Sequence, residues 1–358
     1  MTLWTECWPT TDDRLACCLE AQPDHSILVA GSGSIGRRHM RNLQTLGCRR
    51  ISAADPDTSR LEPMVAELGV QPFSDFDEAL EHLRPDVVLV CTPPALHVPQ
   101  ALAAVRSGAH VFVEKPLSHS LDGVDELIRE TAERDRTLQV GYNWRFDLGV
   151  QRVKALVEQG AIGRILWARA ESGQYLPDWR PWQDYRLSYT ASRSKGGGII
   201  LEGSHEIDYM RWIFGEVVQV YCAAGVLSDL QVDAEDTASM ILRFASGCIG
   251  EIHLDFVQRT PSRGCKVVGT EGTIIWDNTD SSVRVFAAQD GEWERIDVGC
   301  DGNDMYLAEM ESFLACLDGA QQPIVGAEAA RRVLEIAMAA RRSACTNGVV
   351  ELLVAERH

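Results

Sequence analysis

Three residues of this chain are of the types that move protons and stabilise developing negative charge: Lys115, His205 and, three positions before the histidine, Glu202. A lysine ammonium can donate a hydrogen bond to an oxygen that is gaining charge. A histidine titrates near neutrality and can take the proton released when a secondary alcohol is oxidised. Lys115 stands in Glu114-Lys115-Pro116, where a plain ion pair with Glu114 is the structural alternative. His205 follows the triple glycine Gly196-Gly197-Gly198 and precedes Glu206 and Asp208. The spacing of Ile207, Met210, Ile213 and Phe214 predicts a helix through this region, placing Glu202, His205 and Asp208 roughly on one face. A carboxylate there would orient the ring. A lone histidine is more often an ordinary hydrogen-bonded side chain; the glycines and acids around this one favour a site.

The element that must position Lys115 is a nucleotide-binding one. The apolar run Ser26 to Ala30 reads as a buried strand and feeds Gly31-Ser32-Gly33-Ser34-Ile35-Gly36, with a helical segment, Arg37 to Leu46, behind it. That context makes the glycine pattern a dinucleotide fingerprint. Gly31 permits the turn, Gly33 lets a pyrophosphate approach, and Gly36 lets helix and strand pack closely. The helix start, with Ser34 and Ile35, offers free N–H groups to phosphate. Asp55, 19 residues past Gly36 at the end of a second strand (Arg50 to Ala54), can accept the ribose hydroxyls and would repel a 2′-phosphate. NAD is favoured over NADP, although Arg37, Arg38 and Arg60 are cations able to receive a phosphate.

Strand and helix alternate as far as about Leu121. Helices are expected at Glu62 to Leu68, Phe76 to Leu83 and Pro99 to Ser107, and strands at Asp86 to Cys91 and His110 to Val113. The glycine turn, Thr92-Pro93-Pro94 and Lys115 then all lie at carboxyl ends of parallel strands, where open α/β sheets bind ligands. After a helix at Gly149 to Gln159 the pattern changes. Seven strand-like runs between Ile165 and Phe286 are joined by turns such as Ala245-Ser246-Gly247, so a largely antiparallel sheet is expected. Its exposed face is a natural oligomer surface. Helices at Met305 to Leu317 and Ala327 to Arg342 close the chain. The fold class is therefore α/β, a Rossmann domain followed by an α+β domain with a large, mainly antiparallel open sheet. The division is 1–25 as an extension of unassigned function with a weakly helical patch at Arg14 to Glu20, 26–145, 146–326, and a C-terminal helix and tail at 327–358.

Composition agrees with a cytoplasmic enzyme. The 358 residues are 45% hydrophobic and 24% charged, ordinary for a globular protein of two domains. A formal net charge of −18 argues against a nucleic-acid partner. No apolar run reaches the length that spans a bilayer, and no secretion signal is apparent. The 11 cysteines, with no C-x-x-C pair, read as reduced core residues, with no disulfide framework and no metal site.

Taken together, these motifs resemble the Gfo/Idh/MocA family of nicotinamide-dependent oxidoreductases, named after glucose–fructose oxidoreductase and inositol dehydrogenase. The resemblance covers Ser26 to about Arg342. It is carried by the glycine fingerprint, Thr92-Pro93-Pro94 with His97, Glu114-Lys115-Pro116, the segment Gly141 to Phe146, and Gly196 to Asp208. It implies that Lys115 lies beside the nicotinamide and the reacting oxygen, that the Lys115–Pro116 peptide is often cis, and that His205 is the main acid/base group. The commonest family pattern has an aspartate four residues before the histidine; Leu201 holds that place here, and Glu202 is the candidate assistant. Thr92, Pro93, Pro94, His97 and Glu114 are expected around the cofactor, and a homodimer or homotetramer through the second-domain sheet is implied.

For the substrate, Gln174 to Tyr189 gathers Tyr175, Trp179, Arg180, Trp182, Asp184, Tyr185, Arg186 and Tyr189. Aromatic faces beside polar groups suit a sugar or cyclitol, and Arg180 and Arg186 suit a carboxylate or phosphate. Trp179, Arg180, Tyr185, Asp208, and by resemblance Asn143 and Arg145, are the expected substrate contacts. Two other readings stay open: an enzyme that interconverts two sugars on a cofactor it never releases, and a non-catalytic NAD sensor.

Overall fold

The computed structural model describes residues 24–299, 301–319 and 321–353, so the expectations for the N-terminal extension lie almost wholly outside the described residues. Six buried runs form a parallel sheet: β1 (Ser26–Ala30), β2 (Arg50–Ala54), β3 (Gln71–Phe73), β4 (Val87–Val90), β5 (His110–Glu114) and β6 (Leu138–Gly141), in the order β3-β2-β1-β4-β5-β6. All four residues of β4 are fully buried, as expected when helices cover both faces of a parallel sheet. Register makes the strand ends flush, since Ala30 pairs with Ala54 and with Val90, and Val90 with Val113. Gly31, Asp55, Cys91 and Glu114 therefore emerge along one rim. The order reverses between β1 and β4, which opens the crevice where such sheets bind ligands.

The second sheet adds β7 (Ile165–Gly173), β8 (Val217–Gly225), β9 (Thr237–Phe244), β10 (Ile249–Asp255), β11 (Ser262–Gly269), β12 (Gly272–Asp277), β13 (Ser282–Ala287), β14 (Trp293–Asp297) and β15 (Val350–Glu351). Their order is β14-β13-β12-β11-β7-β10-β9-β8-β15, antiparallel except where β7 meets β10. Every second residue of β9 from Ala238 is buried: Ala238, Met240, Leu242 and Phe244 face the helices Leu148–Glu158, Ser204–Phe214 and Ala327–Thr346. The opposite face leaves Tyr221, Ile241 and Ile249 exposed.

The fold departs from expectation in three respects. The strands β3, β14 and β15 carry no strong signal: β3 contains Pro72, tolerated because the strand is an edge, and β14 is almost fully exposed. The helix predicted through residues 199–214 is two helices, Ile199–Glu202 and Ser204–Phe214, broken at Gly203. A Cβ at Gly203 would meet the Leu254 side chain at 2.6 Å, so the chain packs closely on β10 at the break. The expected division also assigns the helix Asp304–Leu317 to the second domain. Its Met310, Phe313 and Leu314 are instead buried with Ile27, Val29, Met40 and Leu43 in the core of the first sheet.

Candidate functional site

The glycine turn leaves β1 with Gly31 at φ +93°, and a Cβ there would stand 2.7 Å from the Cys91 carbonyl oxygen. A Cβ at Gly36 would fall 1.9 Å from the Gly31 carbonyl oxygen, so helix and turn touch only because both are glycines. Above Gly33 there is open space. The helix Ser34–Thr45 has no side-chain cap, and its first intrahelical bond runs from Arg37 N–H to Gly33 O at 3.0 Å. The amides of Ser34, Ile35 and Gly36 are thus free for an anion. Asp55 is buried, its Oδ2 accepting from Ser32 N–H at 2.8 Å and its Oδ1 from Asp57 N–H at 2.9 Å, which fixes the carboxylate beside the turn. These features fit a dinucleotide.

A cavity of about 760 Å³ runs from Gly31, Gly33, Ser34, Ile35 and Asp55 through Thr92, Pro93 and Glu114 to Lys115, Asn143, Glu202 and His205. Pro94 lies just behind, where a Cβ on Gly196 would come within 2.7 Å of it. His97 does not line the cavity. It is buried, with Nδ1 at 2.8 Å from Pro116 O and Nε2 at 2.7 Å from Thr92 O, and so braces two strand ends against each other.

At the far end, Lys115 Nζ lies 3.0 Å from Glu202 Oε2 and 3.1 Å from the Glu202 carbonyl oxygen. Lys115 pairs with Glu202 and not with Glu114, which is instead bound to the buried His39 Nε2 at 2.6 Å. The Lys115–Pro116 peptide is cis. Thr190 Oγ1 donates to Glu202 Oε1 at 3.1 Å, and the Tyr189 phenol also bonds to this carboxylate. Burial pushes the Glu202 pKa up, but Lys115 and these hydroxyls outweigh it and hold the group below the usual glutamate value. It is an anion that keeps a cation beside it.

His205 is buried on the cavity wall, with its ring set edge-on to Tyr142 at 5.8 Å. Burial, and then the charges of Lys115 and Arg263, press its pKa well below the ordinary histidine value, so the ring is neutral and able to accept a proton. Its Nδ1 is enclosed without a partner among the described residues, which leaves Nε2 to face the cavity. The carboxylate expected to orient the ring does not do so: Glu202 serves Lys115, and Asp208 serves Arg145.

That last pair corrects the substrate assignment. Arg145 Nε and Nη2 donate to Asp208 at 2.8 and 2.6 Å, and Nη1 donates to Ile324 O at 3.1 Å, all away from the cavity. Tyr185 also lies outside, its hydroxyl accepting from Gln231 N–H at 3.1 Å. Trp179, Arg180 and Asn143 do line the cavity. Tyr189 of the same aromatic loop joins them, as do two residues that the motifs do not single out, Arg263 and Tyr306. Arg263 comes from β11 and Tyr306 from a helix near the C-terminus, and no local pattern marks either; only the fold brings them in.

A Rossmann sheet whose crevice joins a glycine turn to a lysine–histidine pair defines an NAD-binding oxidoreductase. The chain belongs to the GFO/IDH/MocA family: residues 25–142 match its oxidoreductase domain with NAD-binding Rossmann fold, and residues 150–275 match a GFO/IDH/MocA C-terminal domain. A myo-inositol 2-dehydrogenase of Thermotoga maritima is 33% identical over 337 residues, 88% of this chain and 95% of that one. A scyllo-inositol 2-dehydrogenase (NAD(+)) of Bacillus subtilis is 28% identical, covering 88% and 92% of the two chains. Among solved structures, a levoglucosan dehydrogenase in complex with NADH and levoglucosan shares the fold with a TM-score of 0.82 at 21% identity, over 91% of this chain and 99% of that one.

Proposed function

We propose that this enzyme oxidises a secondary hydroxyl of a sugar or cyclitol, or reduces the corresponding ketone, with Lys115 and His205 as its catalytic residues and Glu202 as the positioning residue behind Lys115. The observation that carries the reading is the convergence of Lys115 Nζ, fixed on Glu202 at 3.0 Å, and a buried neutral His205 at one end of the dinucleotide cavity.

NAD, when bound, supplies the hydride acceptor. Everything else falls to the chain. Gly31 and Gly33 with the amides of Ser34, Ile35 and Gly36 receive the pyrophosphate, and Asp55 the adenosine ribose. The Lys115 ammonium hydrogen-bonds the substrate oxygen and stabilises charge developing on it. His205 Nε2 takes the hydroxyl proton and returns it in the reverse direction. Asn143 and Trp179 bound the substrate side. Burial of Glu202 and His205 limits water around these groups and strengthens their electrostatics.

A cytoplasmic location agrees with the free, buried thiols of Cys91, Cys222, Cys248 and Cys265. A homodimer or homotetramer would cover the apolar side chains Tyr221, Ile241 and Ile249 on the bare sheet face. The deciding experiment mixes purified protein with NAD and a panel of inositols and hexoses and follows absorbance of reduced nicotinamide. Turnover of a polyol supports the reading, and binding of NAD without turnover of any member turns it toward a sensor.

A further inference from the structure

We infer that the substrate carries an anionic oxygen group, a carboxylate or a phosphate, received in the second-domain half of the cavity by Arg180 and Lys195. The inference rests on the oxidoreductase reading above and narrows its substrate class.

The segment 174–195 holds four cations: Arg180, Arg186, Arg193 and Lys195. The two that do not line the cavity are matched with acids. Arg186 is bound to Asp184 with contacts down to 2.6 Å, and Arg193 lies 3.6 Å from Glu235 while its amide bonds to Asp233. The two that line the cavity are Arg180 and Lys195, and among the described residues neither side chain has a hydrogen-bond or ion-pair partner. In a chain with 52 acidic residues against 34 lysines and arginines, chance favours the opposite outcome.

The cavity's own acids do not supply the missing partner. Asp55, Glu114 and Glu202 are its only lining carboxylates among the described residues, and each is engaged, by backbone amides, by His39 and by Lys115 respectively. The walls built by residues 172–195 and 261–279 contribute no aspartate or glutamate to the lining. Their third cation, Arg263, is held by Glu206 at 3.0 Å and by Ser172. A neutral polyol would be held by paired donors and acceptors; two unmatched cations on an acid-free wall are complementary to an anion.

Arg180 and Lys195 line the same cavity as Lys115, Glu202 and His205, so an anionic substituent and the reacting oxygen of one substrate share that space. The cofactor pyrophosphate already has the free amides at the start of the helix Ser34–Thr45 and the neighbouring Arg37.

The test measures dissociation constants on the full-length protein saturated with NADH, using matched pairs: D-glucuronate with D-glucose, D-galacturonate with D-galactose, and glucose 6-phosphate with glucose. At least one anionic member should bind about tenfold or more tightly than its neutral partner, the scale of one hydrogen bond to a charged group. Uronate and phosphate arms separate the two anions. Arg180→Gln and Lys195→Gln should each erase most of that preference while NADH affinity is retained. Lack of preference in every pair, weak binding of all members included, overturns the inference. So does a loss of NADH affinity in the variants, which would assign these cations to the cofactor. Oxidation of a neutral polyol with no anion preference would sink this inference and leave the oxidoreductase reading intact.

Discussion

Lys115 and Glu202 are 87 residues apart, yet Lys115 Nζ lies 3.0 Å from Glu202 Oε2 and 3.1 Å from the backbone oxygen of the same residue. The first residue directly follows a Rossmann strand that ends at Glu114, and the second ends a four-residue helix of the other half of the chain. The contact joins the two halves of the chain through an ion pair, 14% and 6% exposed at its two side chains, so solvent screening is limited.

Lys115→Met should therefore separate binding from chemistry. Turnover is expected to fall about a hundredfold or more, as when a donor to a developing oxyanion is removed. NAD affinity should stay close to wild type, because the phosphate and ribose contacts lie elsewhere. Steady-state kinetics with a cofactor titration decides it, and near-wild-type turnover would remove Lys115 from the mechanism.

The pH profile reads His205. Its pKa lies well below the ordinary value, first because of burial and then because of Lys115 and Arg263. The proton is thus bound more weakly in the folded protein than in the unfolded chain. Oxidation rates should hold level from neutral pH down to about 6.5, the ordinary histidine value, and decline only below it. His205→Ala should cost about 10²–10⁴-fold in kcat and abolish the acid limb. An acid limb that persists in the variant would assign it to another group.

Asp208→Asn tests the reassignment of the Arg145–Asp208 pair. Both residues are buried, and leaving Arg145 without its partner should cost about 3–5 kcal/mol of stability. The folded fraction should keep its substrate KM. Chemical denaturation paired with kinetics separates the outcomes: unchanged stability with a raised KM would restore Asp208 to the substrate site.

Glu309 predicts an alkaline weakness. Both of its carboxyl oxygens are enclosed without a partner among the described residues, and burial, then Glu114 and Asp208, raises its pKa well above the ordinary glutamate value. A raised folded value means that the stabilising protonated form is fully present below about pH 4.5 and is lost as pH rises through the folded pKa. Glu309→Gln should match wild type in Tm near pH 5 and exceed it at pH 8. Parallel Tm curves for the two proteins would show that Glu309 is not the group responsible.

Much of this architecture is legible in the sequence. β1, β2 and the helices Glu62–Leu68 and Phe76–Leu83 lie where apolar period and glycine punctuation put them, because a buried parallel strand needs an unbroken apolar run and a tight turn needs glycine. Lys115 and His205 were readable for the same local reason, each sitting just after a marked strand or glycine run. The edge strands β3, β14 and β15 were not, since pairing with one neighbour demands little of sequence.

What the sequence by itself determined is the nucleotide half: the glycine turn, Asp55 and the strand-end lysine are local devices whose spacing along the chain already implies their spacing in space. The partners of those groups were decided only in three dimensions. Glu202 pairs with Lys115, brought to it from the other half of the chain, and not with His205 three residues along. Arg145 and Asp208 withdrew into a buried pair, Arg263 and Tyr306 entered the cavity from distant elements, and Arg180 and Lys195 were left unmatched where their neighbours found acids. A side chain's type and local element are written in its neighbours along the chain, but the charge it meets depends on which surfaces are packed together.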